Sequence, residues 1–512
     1  MKKNQLRLII ALSLSFALGD VALGQPPQPP RRGNRPDGAR EIEYKGATTF
    51  SEDAEVADAE YVSSTGEENA VLVQGKKVRL TSPKIRKSGT PTGRSDAFDF
   101  YGTNAAVLAA KEGVLEIEGG SIETEAGYGN ALFACGTGVI VAKDVAIKTS
   151  EHNSGGIMVT SGGTLTAKNL TVETAGGSSA TIRSDRGGGT LAVEGGRYLA
   201  QGPGSPAIYS TADITVNDAE LTSTCAEGAI VEGRNSITLN RTKLVDDNTT
   251  LHGKSTTRKN IFLYQSFSGD AAVGVARFEA NDCEIETKRG DTIYVTNTRC
   301  EATLRRNKIS NADPEGWLLR AQREGWGRKG SNGGNVALTL SEQEVEGNIY
   351  VDNISELTLK IVDGSRYVGA LNAANTGKRV DLTLDAKSTF ELTDDCYVTT
   401  LENADATGAN IVLNGHTLHV GETERAEDGL PELAGDGDGF GPPPGEGGFE
   451  GGPGEPGRPV GMERPDRPGR PGEFGGSGNG GRGGRGGAQG RPSRRPGGEG
   501  GERPQRPQRR PR

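Results

Sequence analysis

GVLEIEGGSIET (113–124), GVIVAKDVAIKT (138–149) and GTLTAKNLTVET (163–174) are one pattern written three times. Each copy opens on Gly, alternates apolar and polar residues, makes a small turn and alternates again. A period of two puts one row of side chains inward and the other outward on a strand. The pattern continues as GTLAVEGGRYLA (189–200), DITVNDAELTST (213–224) and SITLNRTKLVDD (236–247), with weaker copies at 276–287, 301–310, 336–345 and 380–390. The Gly anchors step by 25, 25 and 26 residues, and the aligned Leu191, Ile214 and Ile237 step by 23 and 23.

A second lattice of short β-type segments, bounded by Gly, Asn, Asp or Ser, runs between these copies. It includes NALFA (130–134), GIMVT (156–160), PAIYS (206–210), NIFLY (260–264), DTIYV (291–295) and GNIYV (347–351). Two or three short strands in such a period define a solenoid. One coil cannot bury its apolar face alone, whereas stacked coils bury it as a continuous thin core. Parallel crossovers are almost always right-handed. The expected fold is therefore all-β: a right-handed parallel β-helix of about 11–13 coils between roughly 45 and 420. A β-propeller needs blades of ~40–50 residues, longer than this period.

Composition agrees with a thin core. The 512 residues include 78 Gly and 25 Pro, with 33% apolar and 5% aromatic residues. Residues 1–24 read as a signal peptide: Lys2, Lys3 and Arg7 precede an apolar run, Leu8 to Leu18, too short to span a bilayer. Cleavage is expected before Gln25, and no other apolar run is long enough for a transmembrane helix. Residues 25–40 are a Pro/Arg-rich linker, 41–425 the β-helix, and 426–512 a Gly/Pro/Arg/Glu tail too poor in apolar residues to order itself. The expected location is secreted or cell-surface. The net charge of −9 argues against nucleic acid as a partner. The stretch 474–512 has ten Arg against Glu499 and Glu502, so the tail can meet anionic envelope polymers. Its GGRGGRGG (480–487) matches RGG repeats only in letters, and export removes RNA from reach. Five cysteines leave at least one thiol outside any disulfide; a Cys283–Cys300 bridge stays open.

The runs DFYGTNAAVLAAKEGVLEIEGGSIET (98–124), SDRGGGTLAVEGG and SPAIYSTADITV resemble secreted bacterial proteins built of right-handed β-helix repeats, often described as adhesin-like. The resemblance covers about 95–420 and implies the fold more than an activity. The same superfold houses pectate lyases, polygalacturonases and phage tailspikes, so it does not choose among them.

Asp246, Asp247, His252, Arg258 and Lys259 offer polygalacturonase-like residue types, but they share one loop instead of successive coils. Asp282, Asp291 and Arg305 offer a lyase-like calcium and base set, of a kind any acidic solenoid supplies by chance. His416 and His419 point to opposite faces of a strand, which disfavours zinc. Arg289-Gly290-Asp291 spells an integrin-binding tripeptide, for which an ordinary inter-strand turn is the plainer reading. No cofactor and no metal is expected.

The insertions carry more. Extra loops stand at 245–259, at Ser266–Gly274 and at 320–334 (RAQREGWGRKGSNGG), and solenoid insertions often build the binding face. The last holds Trp326 with Arg320, Arg323, Arg328 and Lys329, and Tyr264 and Trp317 lie at nearby lattice positions. Indole stacks on sugar rings, and Arg or Lys pairs with carboxylate or sulfate. The alternative is that Trp326 covers a local apolar patch. The expected function is a non-enzymatic, adhesin-like envelope or extracellular protein that offers a long surface to a polysaccharide, matrix or host-cell ligand. The alternatives are a lyase or hydrolase acting on an acidic glycan, and a structural spacer.

Overall fold

The computed structural model describes residues 42–251, 253–421 and 423–431. The signal-peptide and linker assignments, His252 and the tail beyond 431 lie outside the described residues. The chain winds as a parallel β-solenoid of about 15 turns, with about 2% helix.

The two sequence lattices become its walls. The second lattice forms a 12-stranded sheet, sheet 1, and the first lattice a 22-stranded sheet, sheet 2, with the second lanes of the last coils in a separate four-stranded sheet. Sheet 2 has two lanes per coil, such as Val114–Glu118 beside Ser121–Thr124. Gly163–Thr174 and Gly189–Ala200 run unbroken through both lanes. Leu191 pairs with Ile214 and Ile214 with Ile237, the register read from the 23-residue steps. On sheet 1, Ile157, Ile182 and Ile208 align in the same way. These inward residues are buried from coil to coil and make up one continuous core.

Each recurring turn residue has a steric reason. A Cβ at Gly138 would overlap the Ala109 carbonyl of the coil below, and Gly113 and Gly163 meet Val73 and Ala134 in the same way. The corner between the two lanes of sheet 2 needs one left-handed residue per coil. Asp144, Asn169, Gly195 and Asp218 fill it at φ 53, 52, 65 and 54°, as Asn, Asp and Gly do most readily. Ser154, Ser179 and Ser205 stack inside another corner: each of the last two accepts the backbone N–H of the serine one coil earlier, at 2.9 and 2.8 Å.

The turns outnumber the expected 11–13, and the coil before Gly113 lacks the Gly anchor. Lys77 pairs with Val114, so Lys76 stands where the next coil has Gly113. All five cysteines are free thiols, and four of them are buried, so Cys283 and Cys300 form no bridge.

Candidate functional site

The outward row of sheet 1 is nearly as apolar as its inward row. Leu108, Phe133 and Met158 align in its first half, and Phe262, Tyr294, Arg320 and Tyr350 in its second. Inserted segments cover most of this row. Tyr44 and Tyr101 pack over Leu108, Phe133 and Met158. Tyr101 ends the short helix α1 (Asp96–Tyr101), which is capped by Ser95 and closed by left-handed Gly102.

Between α1 and the 266–274 insertion lies a cluster of charged groups. Arg186 pairs with Asp96 at 3.1 Å and with Asp270 at 2.9 Å, and its guanidinium sits 3.8 Å from the Phe100 ring centre. Arg183 pairs with Asp185 at 2.8 Å. Two coils on, buried Glu232 accepts hydrogen bonds from Tyr209, from the Ser266 hydroxyl and backbone N–H, and from Tyr264 Oη at 2.9 Å. Burial pushes the Asp99 carboxyl up to about 6 and raises Asp185 and Glu232 as well. Carboxylates and tyrosines on neighbouring coils are acid–base material, but here the covering segments fill the space above them.

The residues singled out at the 320–334 insertion are brought together in a different way from the one expected. Trp326 leans on Tyr264 with ring centres 4.8 Å apart and caps the cluster of Phe262, Tyr264 and Tyr294. Tyr264 itself is buried and offers no open stacking face, while Trp326 is partly buried with one side committed to the cluster. Beneath them Lys259 pairs with Glu324 at 2.7 Å with both side chains fully buried, and Lys259 also sits 4.0 Å from the Tyr294 ring centre. Arg323 is held by Asp352 at 3.3 Å and by both oxygens of Asp428 at 2.6 and 2.8 Å. Arg328 lies over the Phe267 ring, and Lys329 is exposed. Arg320 grips Asp291 through two bonds of 2.6 and 3.1 Å. The expected row of open cations is thus largely committed inside the protein: Asp291 and Asp352 come from the coils on either side, and Asp428 from a segment over 100 residues on.

Trp317 and Tyr350 are a partly exposed aromatic pair of this face outside that cluster, on adjacent coils, with ring centres 5.4 Å apart at 60°. Arg320 lies beside both, 5.4 and 5.8 Å from the ring centres. Asp291 orders the group, accepting the Trp317 N–H at 2.9 Å while it holds Arg320. Sequence reading noted Trp317 but missed Tyr350 and the role of Asp291; the signal available was the rung alignment of GWLLR with GNIYV.

The other motifs come apart. Asp291 is 1% exposed, so the Arg-Gly-Asp tripeptide does not display its carboxylate. Asp246 points into the core while Asp247 pairs outside with Arg289 at 2.8 Å. Asp282 pairs with Arg306 and Arg305 with Glu342 on sheet 2, whereas Asp291 belongs to sheet 1. Among the described residues, no group of three or more His, Cys, Asp or Glu is placed to hold a metal ion, and no helix is long and apolar enough to cross a membrane. Compared with protein-family models, curated proteins and solved structures, the chain matches none.

Proposed function

We propose that this chain is an exported, adhesin-like β-solenoid that binds a glycan on the outer face of sheet 1. The observation that carries the reading is the Trp317–Tyr350 pair, partly exposed, on rigid adjacent rungs and ordered from behind by the Arg320–Asp291 pair. Tyr350 and Arg320 lie on strands, which hold a site's geometry better than a loop does, and the Asp291 carboxylate ties the Trp317 backbone N–H to the same coil stack. Aromatic rings supply a flat apolar surface at low entropic cost, and the C–H face of a sugar ring fits it. The signal-peptide reading of residues 1–24 supports export.

The test incubates the purified chain with neutral and acidic polysaccharides and follows both polymer length and co-elution by size-exclusion chromatography. Intact polymer that co-elutes with the protein, and fails to do so with Trp317→Ala, is the expected result. Intact polymer without co-elution would leave the spacer reading. Shortened polymer would favour a lyase or hydrolase. That second reading rests on Asp185, Tyr209 and Glu232 coming from three successive coils of sheet 1, with Tyr209 donating to Glu232, and it requires α1 or the 266–274 segment to move aside.

A further inference from the structure

The charge around Trp317 and Tyr350 narrows the ligand class, an inference that rests on the glycan-binding reading. Four arginines fixed along this face, Arg183, Arg186, Arg320 and Arg323, have carboxylate partners, and two of them have more than one. Arg320 is matched by Asp291, and Arg183 by Asp185. Arg323 is shared by Asp352 and Asp428, and Arg186 by Asp96 and Asp270, so these two groups carry excess negative charge. The approach to Trp317 adds Asp313, which accepts the Gly290 N–H at 2.6 Å, and exposed Glu315. A polyuronate or sulfated chain that gripped Arg320 through its bidentate fork would have to take it away from Asp291, leaving a carboxylate that is 1% exposed without its ion partner. Breaking one side of a buried ion pair is strongly unfavourable.

We propose that the ligand is a neutral glycan chain. Its sugar rings stack on Trp317 and Tyr350, and its hydroxyls meet Arg320 as a hydrogen-bond donor whose charge is already balanced. Arg320 keeps donor capacity for this role, because its Nη1 has only a long 3.5 Å contact to Gln322. The paired guanidinium distinguishes this site from an anion clamp, which presents an open bidentate fork.

The test is affinity electrophoresis of the full chain through gels holding neutral hexose polymers, a polyuronate or a sulfated polysaccharide, at low and high salt. The expected result is retardation by a neutral polymer, unchanged by salt, and weakened roughly tenfold or more in Trp317→Ala and in Tyr350→Ala. Arg320→Lys keeps the charge but loses the fork, and should weaken binding as well while Asp291 stays paired. Thermal melting checks each variant for folding, so one that fails leaves the other two to decide. Retardation only by acidic polymers, falling with salt and lost in Trp317→Ala, would overturn the neutral assignment and keep the glycan-binding reading. Retardation by a neutral polymer that all three variants preserve would overturn this site. No retardation by any polymer would overturn both.

Discussion

Asp246 should behave as a neutral acid inside the solenoid, and replacing it with Asn should alter how stability depends on pH. It ends the strand Lys243–Asp246 with its side chain inward, in register between Ser223 and Thr287. The residue is fully buried, and neither carboxyl oxygen has a well-formed hydrogen bond. Desolvation pushes its pKa from the ordinary 3.8 up to about 9; the Asn248 N–H offsets this slightly, and the Glu227 carboxyl adds to it. The folded protein therefore holds a proton that the unfolded chain releases. Stability from this group is full below about pH 4 and is lost as pH rises through the folded value. At ~1.4 kcal/mol per unit, the span from 3.8 to about 9 sets a ceiling of about 7 kcal/mol. Asn has nearly the same shape and no proton to lose. In urea unfolding measured at successive pH values, Asp246→Asn and the parent should diverge steadily from about pH 5 to about pH 8, the variant gaining by up to ~1.4 kcal/mol per unit. Parallel stability curves would refute the reasoning: Asp246 would then be ionised in the fold, or its burial compensated.

Gly138→Ala should destabilise by about 1–3 kcal/mol, because its methyl would enter the Ala109 carbonyl on a rung that cannot yield without moving the next; chemical denaturation measures it. Glu232→Gln places an amide NH2 among donors from Tyr209, Tyr264 and Ser266. A loss of about 1–3 kcal/mol for the unsatisfied group is expected, with faster proteolytic cleavage within 266–274; an unchanged cleavage rate would count against Glu232 as the anchor of that segment. Arg323→Ala removes the bonds to Asp428 and to the Leu430 carbonyl. Hydrogen exchange should then quicken at the Ala426 amide, which donates to the Asn375 carbonyl at 3.0 Å, while sheet 2 amides keep their protection.

The register was legible in the sequence because a parallel solenoid writes its contacts as a repeat. Leu191, Ile214 and Ile237 are spaced by the coil length and sit on successive rungs. The coil before Gly113 keeps the alternation although Lys76 stands in place of the Gly anchor, as Ala212 and Asn235 do farther along. The site was less legible for a different reason. The carboxylates that neutralise Arg320 and Arg323, namely Asp291, Asp352 and Asp428, lie one coil or several away along the chain, and nothing local marks them as partners. Trp326 sits in a polar, Arg-rich stretch that reads as exposed, yet its loop folds back over Phe262 and Tyr264. Apolar runs such as NALFA and GIMVT did carry a signal: with both faces apolar, a strand is covered on both sides. Tyr44 and Tyr101 supply that cover.

The two walls of the solenoid answer different constraints. In-register parallel strands stack equivalent positions ~4.8 Å apart, so an acidic repeat would pile carboxylate on carboxylate along sheet 2. The outer surface of sheet 2 avoids this by alternating sign between coils, as in Arg197–Glu220, Arg277–Glu301 and Lys308–Glu284. Exposed pairs of this kind add little stability individually; their effect is to keep like charges out of the rows. Those side chains are thereby matched to one another from coil to coil. Sheet 1 escapes the constraint because its outer row is apolar or covered, and its insertions can lengthen without shifting the register of either wall. A coil can therefore change its loop over sheet 1 while its strands stay fixed. Tyr350 stands on a strand whose position the core sets, and Trp317 lies two residues before the neighbouring strand Leu319–Ala321, its backbone N–H tied to Asp291, so recognition there needs no reordering of the solenoid.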